Sequence, residues 1–68
     1  MRKLDVGYIV FYQDSQDFGI VTHRRIDESS FNGWWWIFWF DTMESAAING
    51  NYRHIDFYDR EGKPVQEE

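Results

Sequence analysis

Apolar side chains gather into dense short runs separated by polar strings. The runs are residues 6–12 (VGYIVFY), 18–22 (FGIVT), 34–40 (WWWIFWF) and 55–58 (IDFY). None is long enough to span a bilayer as a helix, and all are rich in the β-branched and aromatic residues that suit a pleated, half-buried surface. They read as strands. The run at 34–40 dominates. Successive strand side chains point to opposite faces, so Trp34, Trp36, Phe38 and Phe40 share one face and Trp35, Ile37 and Trp39 the other. A domain this small has room for only one of these faces in its core, and alternation alone does not choose between them.

The polar strings supply the turns. Residues 13–17 (QDSQD) close the first strand, and Gly19 offers a bulge or a close backbone contact where a small sheet has to bend. The second strand is expected to stop near Arg24 or Arg25. Residues 26–32 (IDESSFN) read as an exposed hairpin loop, with Asn32-Gly33 suited to a type I′ turn into the Trp strand. After Phe40, the Asp41/Glu44 spacing resembles a helix cap, but Asn49-Gly50 interrupts within one turn, so a turn and a short strand over 46–48 are expected instead. Asn49-Gly50-Asn51 is a further turn, and residues 52–54 are expected as one 3₁₀ turn before the last strand. That strand, 55–59, alternates with Ile55 and Phe57 inward. Residues 60–68 (REGKPVQEE) have the composition of a flexible polar tail. The expectation is all-β: one domain over residues 1–59, five short antiparallel strands in a strongly bent barrel.

Composition changes the picture in two respects. A chain of 68 residues buries only roughly 60% of the surface its unfolded form exposes, and without Cys it has neither disulfides nor thiolate-bound metal to compensate. Aromatic mass takes their place: six Phe, four Tyr and four Trp, each able to bury on the order of 150 to 250 Å². Twelve acidic against seven basic residues give a net charge of −5, which favours solubility and opposes non-specific attraction to phosphate backbones or anionic membranes. The amino-terminal MRKLDVG has positive charge but no apolar core. No secretory leader is expected, and the cytoplasm is the default compartment.

The order VGYIVFY, DFGIVTHR, WWWIFWFD, YRHIDFYD resembles the SH3-like small barrels, the group that includes Tudor and KOW domains. More narrowly it is similar to the short SH3-like proteins of tailed-phage genomes. The residues concerned are Gly7 before an apolar first strand, Gly19-Ile20-Val21, Trp39-Phe40-Asp41 closing the third strand, and Tyr52 with Ile55 near the close, within residues 5–59. The resemblance implies an SH3-like five-stranded barrel and a phage-encoded protein acting in the host cytoplasm. Members of the group bind peptides, modified side chains, RNA, DNA or their own copies.

Catalytic signatures are missing. There is no Gly-x-Ser-x-Gly, phosphate-binding Gly-rich loop, His-Glu-x-x-His or Cys nucleophile. His23 and His54 each sit beside Arg, which disfavours a metal ion, so neither metal nor cofactor is expected and the chain reads as non-enzymatic. Trp34, Trp35, Trp36 and Trp39 are the pool from which protein-contact residues are expected, because Trp and Tyr dominate interface energetics. The partner would be a host protein or a second copy, met by an aromatic patch with an acidic rim. The alternative is a nucleic-acid site in which His23, Arg24, Arg25, Arg53 and His54 meet at one end of the barrel beside stacking rings. Two further readings are a cage for a methylated cation, drawn from Tyr12, Trp34, Trp36 or Tyr52 with Asp41, and an acidic surface that mimics DNA.

Overall fold

A computed structural model describes residues 2–25 and 33–66. The hairpin loop expected over residues 26–32, including the Asn32 half of its turn, lies outside the described residues. Five strands follow in order: β1 (Ile9–Tyr12), β2 (Asp17–Arg25), β3 (Trp34–Trp39), β4 (Glu44–Asn49) and β5 (Ile55–Tyr58). They form one antiparallel sheet in the order β4-β3-β2-β1-β5, and no helix occurs among the described residues. Neighbours in sequence are neighbours in space except for β5, which returns to pair with β1, placing Tyr12 opposite Ile55 and Val10 opposite Phe57.

Strand limits depart from the hydrophobic runs where the backbone leaves the extended region. Gly7 takes φ +91° and turns the chain before β1, so β1 begins at Ile9 rather than residue 6. At the other end of the Trp strand, Phe40 already belongs to a turn, and Met43 at φ 56° reverses the chain into β4. The helix-like Asp41/Glu44 spacing therefore caps nothing. β4 is longer than the expected 46–48 because all six of its residues pair with β3, from Trp39 opposite Glu44 to Trp34 opposite Asn49. Before β5, residues 52–54 form a turn closed by Ile55 N–H to Tyr52 C=O at 3.4 Å, not a 3₁₀ helix.

The inward face is set by Val10, Val21, Ile37, Ile55 and Phe57, all buried, with Tyr8, Tyr12, Trp35, Trp39 and Ile48 packed around them. Ile55 and Phe57 are inward as their alternation predicts. Gly19 makes the close approach expected of it: a Cβ there would lie 2.7 Å from both Ile37 Cγ2 and the Phe38 carbonyl oxygen. The bulge lies three residues further on. Val21 is opposite Ile37 but His23 is opposite Trp36, leaving Thr22 as the extra residue, and its hydroxyl donates to the Trp36 carbonyl at 3.1 Å. An inserted residue bends a strand and increases its twist.

The two edges of the sheet differ. Beyond β5, the segment expected as a flexible tail turns back: Asp59 N–H donates to Lys63 C=O at 2.8 Å, Pro64 bridges Tyr58, and Val65 N–H donates to Phe57 C=O at 2.8 Å while its side chain packs on the core. The described amino-terminal residues lie between the end of β4 and β5: Leu4 Cδ1 comes within 3.0 Å of where a Cβ on Gly50 would stand, and the Arg2 N–H donates to Asn51 Oδ1 at 3.3 Å. Leu4 packs on the core, and Arg2 Nη1 donates to Ile55 C=O at 2.7 Å with its guanidinium 5.3 Å from the Phe57 ring. Beyond β4, at the other edge, no described strand is paired.

Candidate functional site

The parity of β3 resolves the four Trp into two groups. Ile37 is buried, so Trp35 and Trp39 face inward, while Trp34 and Trp36 face outward with Phe38. The same argument applies to its neighbours. Val10 and Val21 are inward, so Ile9 and Phe11 on β1 and Phe18 and Ile20 on β2 turn outward. The register then places these side chains side by side: Phe11 opposite Phe18, Ile9 opposite Ile20, Ile20 opposite Phe38. Ring centroids are 4.8 Å apart for Phe11 and Phe18, and 5.9 Å for Phe38 and Phe40. Phe18 and Phe40 are 51% and 50% exposed.

This outward face runs along β2 from Phe18 to Arg25 and across three to four strands, a footprint on the order of 300 Å², in the range of patches that serve as contact sites. Its borders are polar. At the Arg25 end, His23 stacks on Trp36 with centroids 6.0 Å apart, and the Arg25 guanidinium carbon lies 5.9 Å from the same ring. At the opposite corner Asp56 stands across from Phe11 and accepts a 3.0 Å hydrogen bond from Gln13 Nε2. Ser45, Ala47 and Asn49 border it along β4, opposite Phe38, Trp36 and Trp34.

A second surface lies on the inward side, where the β1–β2 turn, the β3–β4 turn and the start of β5 converge. A cleft of about 420 Å³ is walled by Tyr12, Trp39, Tyr52, Ile48 and Ile55, with Asp17 at its margin. The Tyr12 ring lies 6.2 Å from Trp39 and 6.3 Å from Tyr52. Hydrogen bonding to the Tyr52 side chain, and beyond it the negative charge of Asp14, holds the Tyr12 phenol above the usual tyrosine range. Asp14 also meets His54, with Oδ1 to Nδ1 at 3.2 Å. Of the rings considered for a cation cage, Tyr12 and Tyr52 do come together. Trp34 and Trp36 are on the other face of the sheet, and Trp39 stands in their place.

The basic residues do not converge. His23 and Arg25 adjoin the outward face at Trp36, and Arg24 stands opposite Trp35 near the end of β2. Arg53 and His54 precede β5, beside Tyr12, which is itself opposite Asp17 at the far end of β2. Along an extended strand, Asp17 and Arg25 are about 25 Å apart, so one end of the molecule cannot hold all five. Phe11, Phe18 and Ile20 are surface residues that the apolar runs alone do not single out. The signal was present in FGIV, where alternation puts Phe18 and Ile20 opposite in sense to Gly19 and Val21.

Among the described residues no group of three or more His, Asp or Glu could hold a metal ion, and no helix is long and apolar enough to cross a membrane. Comparison of the chain with protein-family models, with curated proteins and with solved structures gave no match.

Proposed function

We propose that this chain is a non-enzymatic interaction module that binds a protein partner through the outward face of its sheet. The observation that carries the reading is the row of outward rings, Phe11, Phe18, Trp36, Phe38 and Phe40, laid side by side on a face whose Phe18 and Phe40 stay half exposed. Covering the exposed half of each of these two rings removes roughly 100 Å² from water and contributes about 2 kcal/mol per ring. The borders orient the partner: His23 and Arg25 at one end, Asp56 at the other. Trp34 and Trp36 belong to the contact. Trp35 and Trp39 hold the fold.

We read the architecture as an SH3-like barrel. Three features support this: the strand order with β5 returning to β1, the bulge that bends β2, and the convergence of Ile48 from β4 with Ile55 from β5 on one cleft. The cleft is the other place where a partner could insert a side chain, and substitution separates the two surfaces. Capture from producing cells by the wild-type chain, the double variant Phe18→Ser/Phe40→Ser and the variant Tyr52→Ala provides the test. A partner lost with the double variant and retained with Tyr52→Ala supports the outward face; the reverse pattern refutes it.

One observation favours a nucleic-acid reading of the same face. His23 and Arg25 lie against Trp36, so a ring for stacking and a cation for phosphate are adjacent. Charge weighs against it, since the chain carries −5 overall and Asp56 borders the same face. Single-stranded oligonucleotides that fail to quench Trp fluorescence at low salt remove this reading. Binding that falls steeply with salt and is lost with Arg25→Ala would establish it.

A further inference from the structure

Among the described residues the sheet has one covered edge and one open edge. Residues 63–65 lie along β5, with Pro64 bridged to Tyr58 and Val65 bonded to Phe57, so β5 cannot accept another strand there. β4 ends the strand order, and among the described strands it pairs with β3 alone. Its ladder fixes which groups are available. Gly50 N–H donates to Gly33 C=O at 3.1 Å, so Gly33 and Gly50 form a hydrogen-bonded pair of the β3–β4 ladder. Hydrogen-bonded pairs alternate along an antiparallel ladder. Ile48, Ala46 and Glu44 therefore bond to β3, while Ser45, Ala47 and Asn49 point their N–H and C=O groups to the open side. Asn49 C=O is already taken by Tyr52 N–H at 3.1 Å. What remains is a pair of residues, Ser45 and Ala47, presenting both backbone groups.

The side chains here leave the edge accessible. Ser45, Ala46 and Ala47 are small, and Ser45 and Ala46 are exposed. Sheet edges are normally blunted by Lys, Pro, bulges or covering segments. β4 has no Lys, no Pro and no break in its register with β3, and its one charge, Glu44, stands at its start.

We propose that β4 pairs antiparallel with β4 of a second copy of this chain, about a two-fold axis through Ala46 perpendicular to the sheet. In this register Ser45 stands opposite the partner's Ala47, and Ala47 opposite the partner's Ser45. Both open residues on each chain then exchange N–H···O=C bonds, giving four bonds with no open group blocked. Centring on Ala47 instead would call on the occupied Asn49 carbonyl. The axis passes between two Ala46 methyl groups, which do not obstruct strand spacing. Glu44 and the partner's Glu44 fall about 14 Å apart, more than a Debye length in physiological salt. Residues opposite one another share a face in this register, so the two outward aromatic faces join edge to edge into one surface. A self-complementary patch of this kind is what an isologous two-fold interface requires. The pairing depends on no outward ring and is independent of the function proposed above.

Sedimentation equilibrium over a range of concentrations, with hydrogen exchange read at single amides, tests this. The wild type should show a monomer–dimer equilibrium, and the amides of Ser45 and Ala47 should gain protection as concentration rises. Those of Ala46 and Ile48 should be protected throughout. Ala47→Pro removes an N–H that β3 does not use and with it two of the four intermolecular bonds, so dimerisation should weaken at least about tenfold. Ala46→Lys places two cations at the axis and should have the same effect; it serves as the readout if the Pro variant fails to fold. Phe18→Ser should leave the dimer intact. A strict monomer at millimolar concentration overturns the proposal. So does a dimer unaffected by Ala46→Lys, or one lost with Phe18→Ser while the Ser45 and Ala47 amides stay open. Protection of these amides only on adding another protein would assign the edge to that protein instead.

Discussion

Removing the ring of Trp35 and removing that of its neighbour Trp36 should have sharply different costs, although the two residues are adjacent and both half-buried. Trp35 packs on the core, and its Cδ1 lies 3.3 Å from where a Cβ on Gly50 would stand. Deleting a core Trp costs about 3 to 5 kcal/mol, and Trp35 belongs near the lower figure because part of its ring reaches solvent. Trp36 contributes its stack with His23 and its contact with Arg25 on the outward face. Contacts of these kinds are each worth on the order of 1 kcal/mol or less at exposed sites. Threonine suits both positions as a strand former. Trp35→Thr should therefore lose about 3 kcal/mol and Trp36→Thr about 1 kcal/mol, out of a total that for 68 residues is roughly 3 to 10 kcal/mol. With a urea dependence of about 1 kcal/mol per molar, the two unfolding midpoints should differ by about 2 M. Far-UV circular dichroism against urea measures this, since it does not depend on the Trp being removed. Equal destabilisation, or a larger loss for Trp36→Thr, would refute the assignment of faces and with it the proposed contact surface.

Three further outcomes follow from the same geometry. Gly19→Ala forces a methyl to 2.7 Å from Ile37 and the Phe38 carbonyl and should cost about 1 to 3 kcal/mol by overpacking; a neutral result in a denaturant titration would contradict the close approach of β2 and β3. Arg60 Nη2 and the Val6 N–H, each 2.8 Å from the Asp5 carboxylate, hold it below the usual range. A depressed folded-state value means the contribution is present above the ordinary aspartate value of 3.8 and fades as pH falls through the folded value. The wild type should accordingly lose stability on acidification below about pH 4 more steeply than Asp5→Asn, by a small margin because the pair is exposed. Tyr12 should ionise above pH 10.0, with Tyr52→Phe bringing it down, because the Tyr52 hydrogen bond is the main cause of the upward shift. Ultraviolet titration of the tyrosinates reads this, and its folded-state contribution is full below pH 10 and lost as pH rises through the raised value.

The strands were legible where apolar runs met turn residues, and the inward sense of β5 was legible because Asp56 alternates with Ile55 and Phe57. The faces of β1, β2 and β3 were not. A run such as VGYIVFY or WWWIFWF is apolar on both sides, and parity groups its residues without saying which group is core. That choice comes from the tertiary register, in which Val10, Val21 and Ile37 converge where Gly19 allows two strands to approach closely. β4 was under-read for a related reason: Ser45, Ala46 and Ala47 have weak strand preference, and pairing along the whole of β3 supplies what propensity does not. The separation of His23–Arg25 from Arg53–His54 also depends on topology. Antiparallel pairing of β1 with both β2 and β5 sends the end of β2 and the start of β5 to opposite ends of the sheet. In the last segment, the single apolar Val65 was enough to dock a polar stretch onto the core.

The proposed contact requires an aromatic face that remains open to solvent in the unpartnered chain. The most direct measurement is paramagnetic relaxation by a neutral soluble gadolinium chelate, read at the side chains of the isotopically labelled protein. Strong broadening of Phe11, Phe18, Phe38, Phe40 and Trp36, with Val10, Val21, Ile37, Ile55 and Phe57 spared, is the predicted result. Outward rings shielded as fully as the core in the isolated chain would contradict it.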